Sequence, residues 1–215
     1  MNDLSLMSWN VKGLNNTVKR RKILSFIKSK KCNIVFIQET HLSSKAVVSN
    51  HRAADRGSTK SKRVTTLINK RLQIQCIKQS KDEAGRMLLM LCDKQGNKVI
   101  LVNVYVPNVD DPSFFGLLEN KLLEMGDHPI IMGGDFNEVM DPILDRSSRL
   151  SRTSKAVTVL RGMSEACSLV DIWRLQNPSR RDYTFYSPPH GSFSRIDFFL
   201  VSQSLVPAVA SSLAT

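Results

Sequence analysis

A chain of 215 residues, 41% of them hydrophobic, can bury the core of one α/β or two-sheet domain, and residues 1–215 are expected to form a single domain. The 31 Lys and Arg exceed the 19 Asp and Glu, giving a formal charge of +12 and pI ≈ 9.8; residues 1–63 carry 14 basic and 3 acidic side chains, residues 64–215 carry 17 and 16. That field suits a polyanionic partner such as DNA, an anionic membrane surface and a merely solvated face being the other readings, while the absence of any span-length apolar window or secretion signal excludes membrane helices and points inside the cell, the nucleus included.

Cys32, Cys76, Cys92 and Cys167 are widely spaced and three of them sit inside apolar runs, which suggests neither a zinc pattern nor a disulfide framework, so they read as buried thiols. In chain order, Leu4 to Val11 predicts a strand that closes on Trp9-Asn10. After the turn Gly13-Leu14-Asn15-Asn16, Asn16 or Thr17 can cap a helix to about Lys31. Its stripe of Ile23, Leu24, Phe26 and Ile27 faces inward, with the basic residues in solvent. Asn33 to Ile37 predicts a second strand, ending at Gln38-Glu39-Thr40-His41. Strand, helix, strand at this spacing favours a parallel pair, which puts Asn10 and Glu39 at one carboxyl edge.

Residues 42–63 lack periodicity and are expected to be a loop. Val64 to Asn69, Leu72 to Lys78, Arg86 to Cys92 and Lys98 to Val106 then predict a meander of strands, stopped by Pro107 with the Tyr105 hydroxyl near its end. Asp111-Pro112 begins a helix whose apolar surface is Phe114, Phe115, Leu117, Leu118, Leu122 and Leu123, up to Gly126. It leads into His128 to Asn137. There Ile130, Ile131 and Met132 make a buried strand, Gly133 and Gly134 permit a sharp turn, and Asp135 and Asn137 point to one side if the backbone stays extended. A carboxylate beside an amide can take a proton, touch a metal or hold a phosphate oxygen; Gly-Asp-x-Asn alone also suits an Asx turn. A loop over 141–154, a helix from about Lys155 to Ala166 and the apolar stretch Leu169 to Trp173 follow. Tyr183 to Tyr186 and Ser194 to Val201 read as the two arms of a hairpin.

Taken in order, Ser8-Trp9-Asn10, Gln38-Glu39-Thr40-His41, Asn103 to Asn108, Gly133 to Asn137, Asp182 to Phe185 and Ser194-Arg195-Ile196-Asp197 resemble the endonuclease/exonuclease/phosphatase superfamily. Within it they are most similar to the amino-terminal endonuclease of LINE-type retrotransposon polyproteins, nearly end to end. The resemblance implies an α/β fold of two packed β-sheets flanked by helices, a four-layer sandwich. It also implies a Mg²⁺-dependent phosphodiesterase, Mn²⁺ being the alternative ion, that nicks DNA. By position, Glu39 matches the metal carboxylate and Asn10 the residue that orders metal and phosphate. Tyr105 matches the tyrosine near the scissile phosphate, Asp135 the carboxylate that activates water, and Asn137 the amide on the phosphate. Thr184 matches a phosphate contact, and Asp197 the carboxylate that orients a histidine. Lys19, Arg20, Arg21 and Lys22 are the candidate DNA-backbone contacts.

The family closes on a Ser-Asp-His strand that would follow Thr215, so the last strand is expected to be missing and catalysis impaired. The stretch between His41 and Val64 is also shorter than is usual in the family. A non-catalytic nucleic-acid-binding remnant and a phosphatase acting on a small phosphoester remain as alternatives.

Overall fold

The computed structural model describes residues 4–41, 64–148 and 153–213, and the backbone of residues 51–54. Strand β1 (Leu6–Asn10) and strand β2 (Ile34–Gln38) are parallel, with Asn10 opposite Gln38, and helix α1 (Thr17–Ser29) makes the crossover. Asn16 caps α1 by accepting from the Lys19 N–H at 3.0 Å. β2 is buried on both faces: Val35 and Ile37 pack with Ile23 and Ile27 of α1, while Ile34 and Phe36 face the layer between the sheets. That is why it reads as an unbroken apolar run. Phe26, expected in the buried stripe, is exposed and lies edge-on to Trp9.

Strands β3 (His51–Ala54) and β4 (Thr65–Asn69) correct two expectations. His51–Ala54 falls in the stretch read as loop, yet it pairs antiparallel with β4; the rest of 42–63 lies outside the described residues. An edge strand is defined by its neighbour's backbone and needs no apolar alternation, so its sequence gives no signal. β4 in turn pairs with β2, so it belongs to a four-stranded sheet of order β1-β2-β4-β3 and does not begin the meander.

The second sheet has six strands. β5 (Gln75–Lys81), β6 (Met87–Lys94) and β7 (Asn97–Tyr105) form the antiparallel meander, with β5 starting later than the expected Leu72. Helix α2 (Pro112–Met125), with Asp111 as cap, returns the chain to β8 (Ile130–Asp135), which runs parallel to β7. Phe114, Phe115, Leu118 and Leu122 are buried, but Leu117 and Leu123 are exposed, so the apolar face of α2 is narrower than its composition implied. After helix α3 (Lys155–Ala166), the stretch Leu169 to Trp173 divides into β9 (Leu169–Asp171) and helix α4 (Ile172–Gln176), because the Asp171 side chain accepts from the Arg174 N–H and caps the helix.

The expected hairpin exists only in part. β10 (Phe185–Ser187) pairs with β11 (Ser192–Ser194), but β12 (Asp197–Ser202) leaves it and inserts between β8 and β9. Phe198 and Leu200 thereby enter the core against Met132 and Leu169, a burial that local hairpin pairing could not supply. The sheet order is β5-β6-β7-β8-β12-β9. α2 and α3 cover its outer face, α1 covers the outer face of the smaller sheet, and Phe36, Ile68, Leu88, Met90, Leu101 and Phe199 fill the layer between. The architecture is therefore α/β, two packed sheets flanked by helices. Among the described residues no helix is long and apolar enough to cross a membrane.

Gly133 and Gly134 do not form a turn, as their sequence suggested; both lie inside β8. A Cβ on Gly133 would meet the Phe199 ring at 2.4 Å, and one on Gly134, at φ +152°, would meet the Val104 carbonyl oxygen at 2.0 Å. The glycines are there for close approach at the centre of the sheet. Across the layer between the sheets, the buried Gln38 Nε2 donates to Asn103 Oδ1 at 2.8 Å and to Ser8 Oγ at 3.0 Å. Asn103 Nδ2 donates to the Thr65 carbonyl at 3.1 Å. This polar bridge fixes the two sheets against each other one step behind their carboxyl edges.

Candidate active site

At those edges the strand pairing lines up side chains that are far apart in sequence. Asp135 is the Cα partner of Tyr105 on one side and of Asp197 on the other, so the three stand in one row across β7, β8 and β12. Directly opposed residues share a face. From the other sheet, Asn10 Nδ2 donates to Glu39 Oε1 at 3.0 Å and to Asp135 Oδ2 at 2.8 Å, one amide joining carboxylates of both sheets. Asn10 is itself oriented by its Oδ1, which accepts from the Lys12 N–H at 3.0 Å. The Tyr105 hydroxyl hydrogen-bonds to Glu39, and His41 Nε2 lies 3.7 Å from Glu39 Oε2.

The backbone carrying these groups is tightly bent. Lys12, Glu39, His41 and Asn137 all have positive φ, between 46° and 52°. The β1 and β2 ends are held together by Gly13 N–H to Glu39 carbonyl at 2.8 Å and Leu14 N–H to Thr40 carbonyl at 2.9 Å. Non-glycine residues in this conformation store local strain, which collects at sites where the fold over-determines the geometry.

Asp135 is 5% exposed; its carboxyl is raised above the ordinary carboxylate range by burial first, against the hydrogen bonds from Asn10 and Asn137, with nearby Glu39 raising it further. Asp197 is pushed up to about 7, by burial and then by the charge of Asp135, with the Thr184 hydrogen bond and Lys12 opposing. Burial first, then the hydrogen bond to Glu39, also raises the Tyr105 hydroxyl and keeps it neutral. Three carboxyl groups thus crowd one partly dry edge, a charge distribution that calls for a cation. Among the described residues no three His, Cys, Asp or Glu side chains converge as an all-protein cage. A hard divalent ion such as Mg²⁺ takes oxygen ligands and keeps several waters, so one or two carboxylates suffice, and the donor set fits it.

The structure brings together Asn10, Glu39, Tyr105, Asp135, Asn137, Thr184 and Asp197, but alters how two of them are used. Asn137 does not continue an extended strand beside Asp135. Its N–H donates to Asp135 Oδ1 at 3.0 Å, the Asx turn that the sequence also allowed, and its Nδ2 donates to the Val106 carbonyl at 2.7 Å. Thr184 Oγ1 accepts from the N–H groups of Ile196 and Asp197, each at 3.1 Å, and bonds to the Asp197 carboxyl, so it holds the start of β12. Of the four basic candidates on α1, Lys19 Nζ donates to the Lys12 carbonyl and Arg20 Nη1 to the Leu14 carbonyl, while Arg21 and Lys22 are exposed.

Four contributors went unassigned in the sequence. Lys12, which faces both Asp135 and Asp197, sits two residues past Asn10. Gln38 and Asn103 set the sheet-to-sheet distance from inside otherwise apolar strands, which is the available sequence signal. Arg195 is fully buried behind the row. Its Nε and Nη2 donate to Asp145 Oδ1 and Oδ2, each at 2.8 Å, and Nη2 donates to Asp171 at 2.6 Å; Arg174 also pairs with Asp145. The pairing fixes the loop before α3 against the strand that carries Asp197.

The chain is similar to the "Transposon TX1 uncharacterized 149 kDa protein" of Xenopus laevis, 30% identical over 225 residues, an alignment covering 97% of this chain and 17% of that protein's length. Its fold is similar to the catalytic domain of Xenopus laevis APE2 (TM-score 0.76, 18% identity, 95% of this chain and 84% of that one). It is similar also to the AP endonuclease LMAP of Leishmania major (TM-score 0.74, 22% identity, 95% and 80%). A further match is the endonuclease domain of TRAS1, a telomere-specific non-LTR retrotransposon (TM-score 0.69, 14% identity, 95% and 87%). With a family model matched over residues 7–214, the chain belongs to the Endonuclease/Exonuclease/phosphatase family.

Proposed function

We propose that residues 1–215 form one domain acting as a Mg²⁺-dependent phosphodiesterase that nicks DNA, as a retrotransposon endonuclease does. The observation that carries this reading is the Asn10 amide bridging Glu39 and Asp135 across the two sheets, with Asp197 beside them. Glu39 and Asn10 would hold the ion, Mg²⁺ or Mn²⁺, which when bound supplies positive charge to the phosphate oxygens. Asp135, fixed by Asn10 and Asn137, accepts the proton of the attacking water. The new bond forms from water oxygen to phosphorus as the bond to the sugar oxygen breaks. Tyr105, neutral and oriented by Glu39, lends a hydroxyl beside the scissile phosphate. Asn137 keeps a second N–H beyond the one given to Val106, and that N–H serves a phosphate oxygen. Asp197, with a carboxyl near 7, can hold or release a proton at neutral pH. Thr184 acts by positioning Asp197.

The exposed Arg21 and Lys22 on α1, with Lys12 at the site, give the DNA backbone a basic approach, in keeping with an intracellular, nuclear role. The same basic approach also suits a second reading, a non-catalytic nucleic-acid-binding remnant. Supercoiled-plasmid nicking in Mg²⁺ or EDTA separates the two. Nicking that needs the ion and falls roughly 10²- to 10⁴-fold in Asp135→Ala supports catalysis. DNA retention with no ion-dependent nicking supports the remnant.

A further inference from the structure

Cys76 and Cys92 stand directly opposite each other in the β5–β6 ladder, and their thiols are hydrogen-bonded to one another. Opposed residues of antiparallel strands have Cα atoms roughly 4.5–5.5 Å apart, inside the roughly 4.4–6.8 Å that a disulfide spans. The register shifts immediately after Cys76, leaving Ile77 as an extra residue on the edge strand, a bulge that lets the backbone adjust. The two sulfurs differ in access. Cys76 is exposed, contrary to its expected burial, whereas Cys92 is buried in the layer between the sheets. Burial raises both thiols, Cys92 to about 12, so Cys76 ionises first and the Cys92 S–H donates to it. Cys92 is paired with Val99 on β7, roughly 20 Å from Tyr105 by the rise of a strand, so the pair is separate from the acidic row.

We propose that Cys76 and Cys92 are a modification site, a cross-strand dithiol that hydroperoxides or small disulfides oxidise reversibly to a bond stapling edge strand β5 to β6. With hydrogen peroxide, the Cys76 thiolate takes one oxygen as the O–O bond breaks and water leaves, giving a sulfenic acid. The Cys92 sulfur then displaces that oxygen as a second water. With oxidised glutathione, Cys76 takes one sulfur and releases one glutathione, and Cys92 displaces the other. In both cases the two protein thiols are oxidised and the reagent is reduced.

The test treats the full chain with hydrogen peroxide or oxidised glutathione at pH 8, followed by intact mass, peptide mapping and thermal unfolding. Expected are the loss of two hydrogens, linked Cys76 and Cys92 peptides, and a melting temperature raised by roughly 5–10 °C and reset by dithiothreitol. Cys76→Ser, an exposed and conservative change, should give neither link nor shift. A lasting glutathione adduct or over-oxidised acid on Cys76 with Cys92 free would overturn the proposal. So would a covalent dimer through Cys76, a link to Cys32 or Cys167, or no reaction.

Discussion

Asp197→Asn should stabilise the protein, and by an amount that depends on pH. The folded state holds the Asp197 carboxyl near 7, because it is buried beside Asp135, whereas its ordinary value is 3.8. Between those two values the folded chain keeps a proton that the unfolded chain has lost, so stability falls as pH rises through the window and levels off above about 7. Three units at about 1.4 kcal/mol each set a ceiling of about 4 kcal/mol on that loss, and Asp135 shares in it. Asparagine keeps the shape and can still accept from Thr184, but cannot ionise. In EDTA at pH 8 the variant should therefore melt several degrees higher, up to roughly 8–16 °C at about 2–4 °C per kcal/mol for a chain of this size, with the difference fading toward pH 4. Thermal unfolding of both proteins from pH 4 to 8 is the assay. A gain of equal size at every pH, or a loss at pH 8, would show that the carboxyl is not held in its neutral form by the fold.

Glu39→Ala should lose most specific Mg²⁺ binding by titration calorimetry, and roughly 10²-fold or more of any Mg²⁺-dependent nicking, while keeping its circular dichroism; unchanged ion affinity would remove Glu39 from the site. DNA affinity should fall log-linearly with salt. Neutralising Lys19, Arg20, Arg21 and Lys22 together should reduce that slope by about 2, not about 4, because Lys19 and Arg20 are tied to backbone carbonyls, and an unaltered slope would mean that α1 never meets DNA. Gly134→Ala drives a methyl to 2.0 Å from the Val104 carbonyl oxygen and should destabilise by about 3 kcal/mol or more, read as a melting temperature lower by at least about 6 °C; a neutral result would mean that β7 and β8 can part at no cost.

The fold was legible wherever one sequence window contains its own reason. β2 and β8 are apolar runs because both faces are covered, and α1 and α2 announce themselves through Asn16, Asp111 and Pro112. The failures all concern partners. His51–Ala54 is a strand because β4 lies beside it, β4 sits in the smaller sheet because β2 accepts it, and β12 abandons its hairpin because β8 and β9 offer a buried slot. Gly133 and Gly134 were read as turn residues since glycine serves both uses; only the Phe199 ring and the Val104 carbonyl decide between them. Cys76 was read as buried because it neighbours Ile74 and Ile77, but on an edge strand an apolar neighbour does not ensure cover.

The candidate site shows the same division at the level of chemistry. Residue types could be named one by one, since Glu39, Asp135 and Asp197 each stand at an end of an apolar strand and match carboxylate positions of the family's motifs. Their interaction could not, because it is created by register. Sliding β12 by one residue along β8 would turn Asp197 to the other face, remove the repulsion from Asp135 and leave its carboxyl an ordinary acid. What prevents the slip is remote from the reaction: Thr184 bonding two successive N–H groups at the start of β12, and Arg195 clamping Asp145 and Asp171 from the residue pair just before it. Removing Arg195 would leave Asp171 without its cation and the fully buried Asp145 with Arg174 alone, a loss that on breaking buried pairs runs to roughly 3–5 kcal/mol. The buried arginine and the perturbed aspartate two residues later are thus parts of one device, the first holding the register that gives the second its unusual proton affinity.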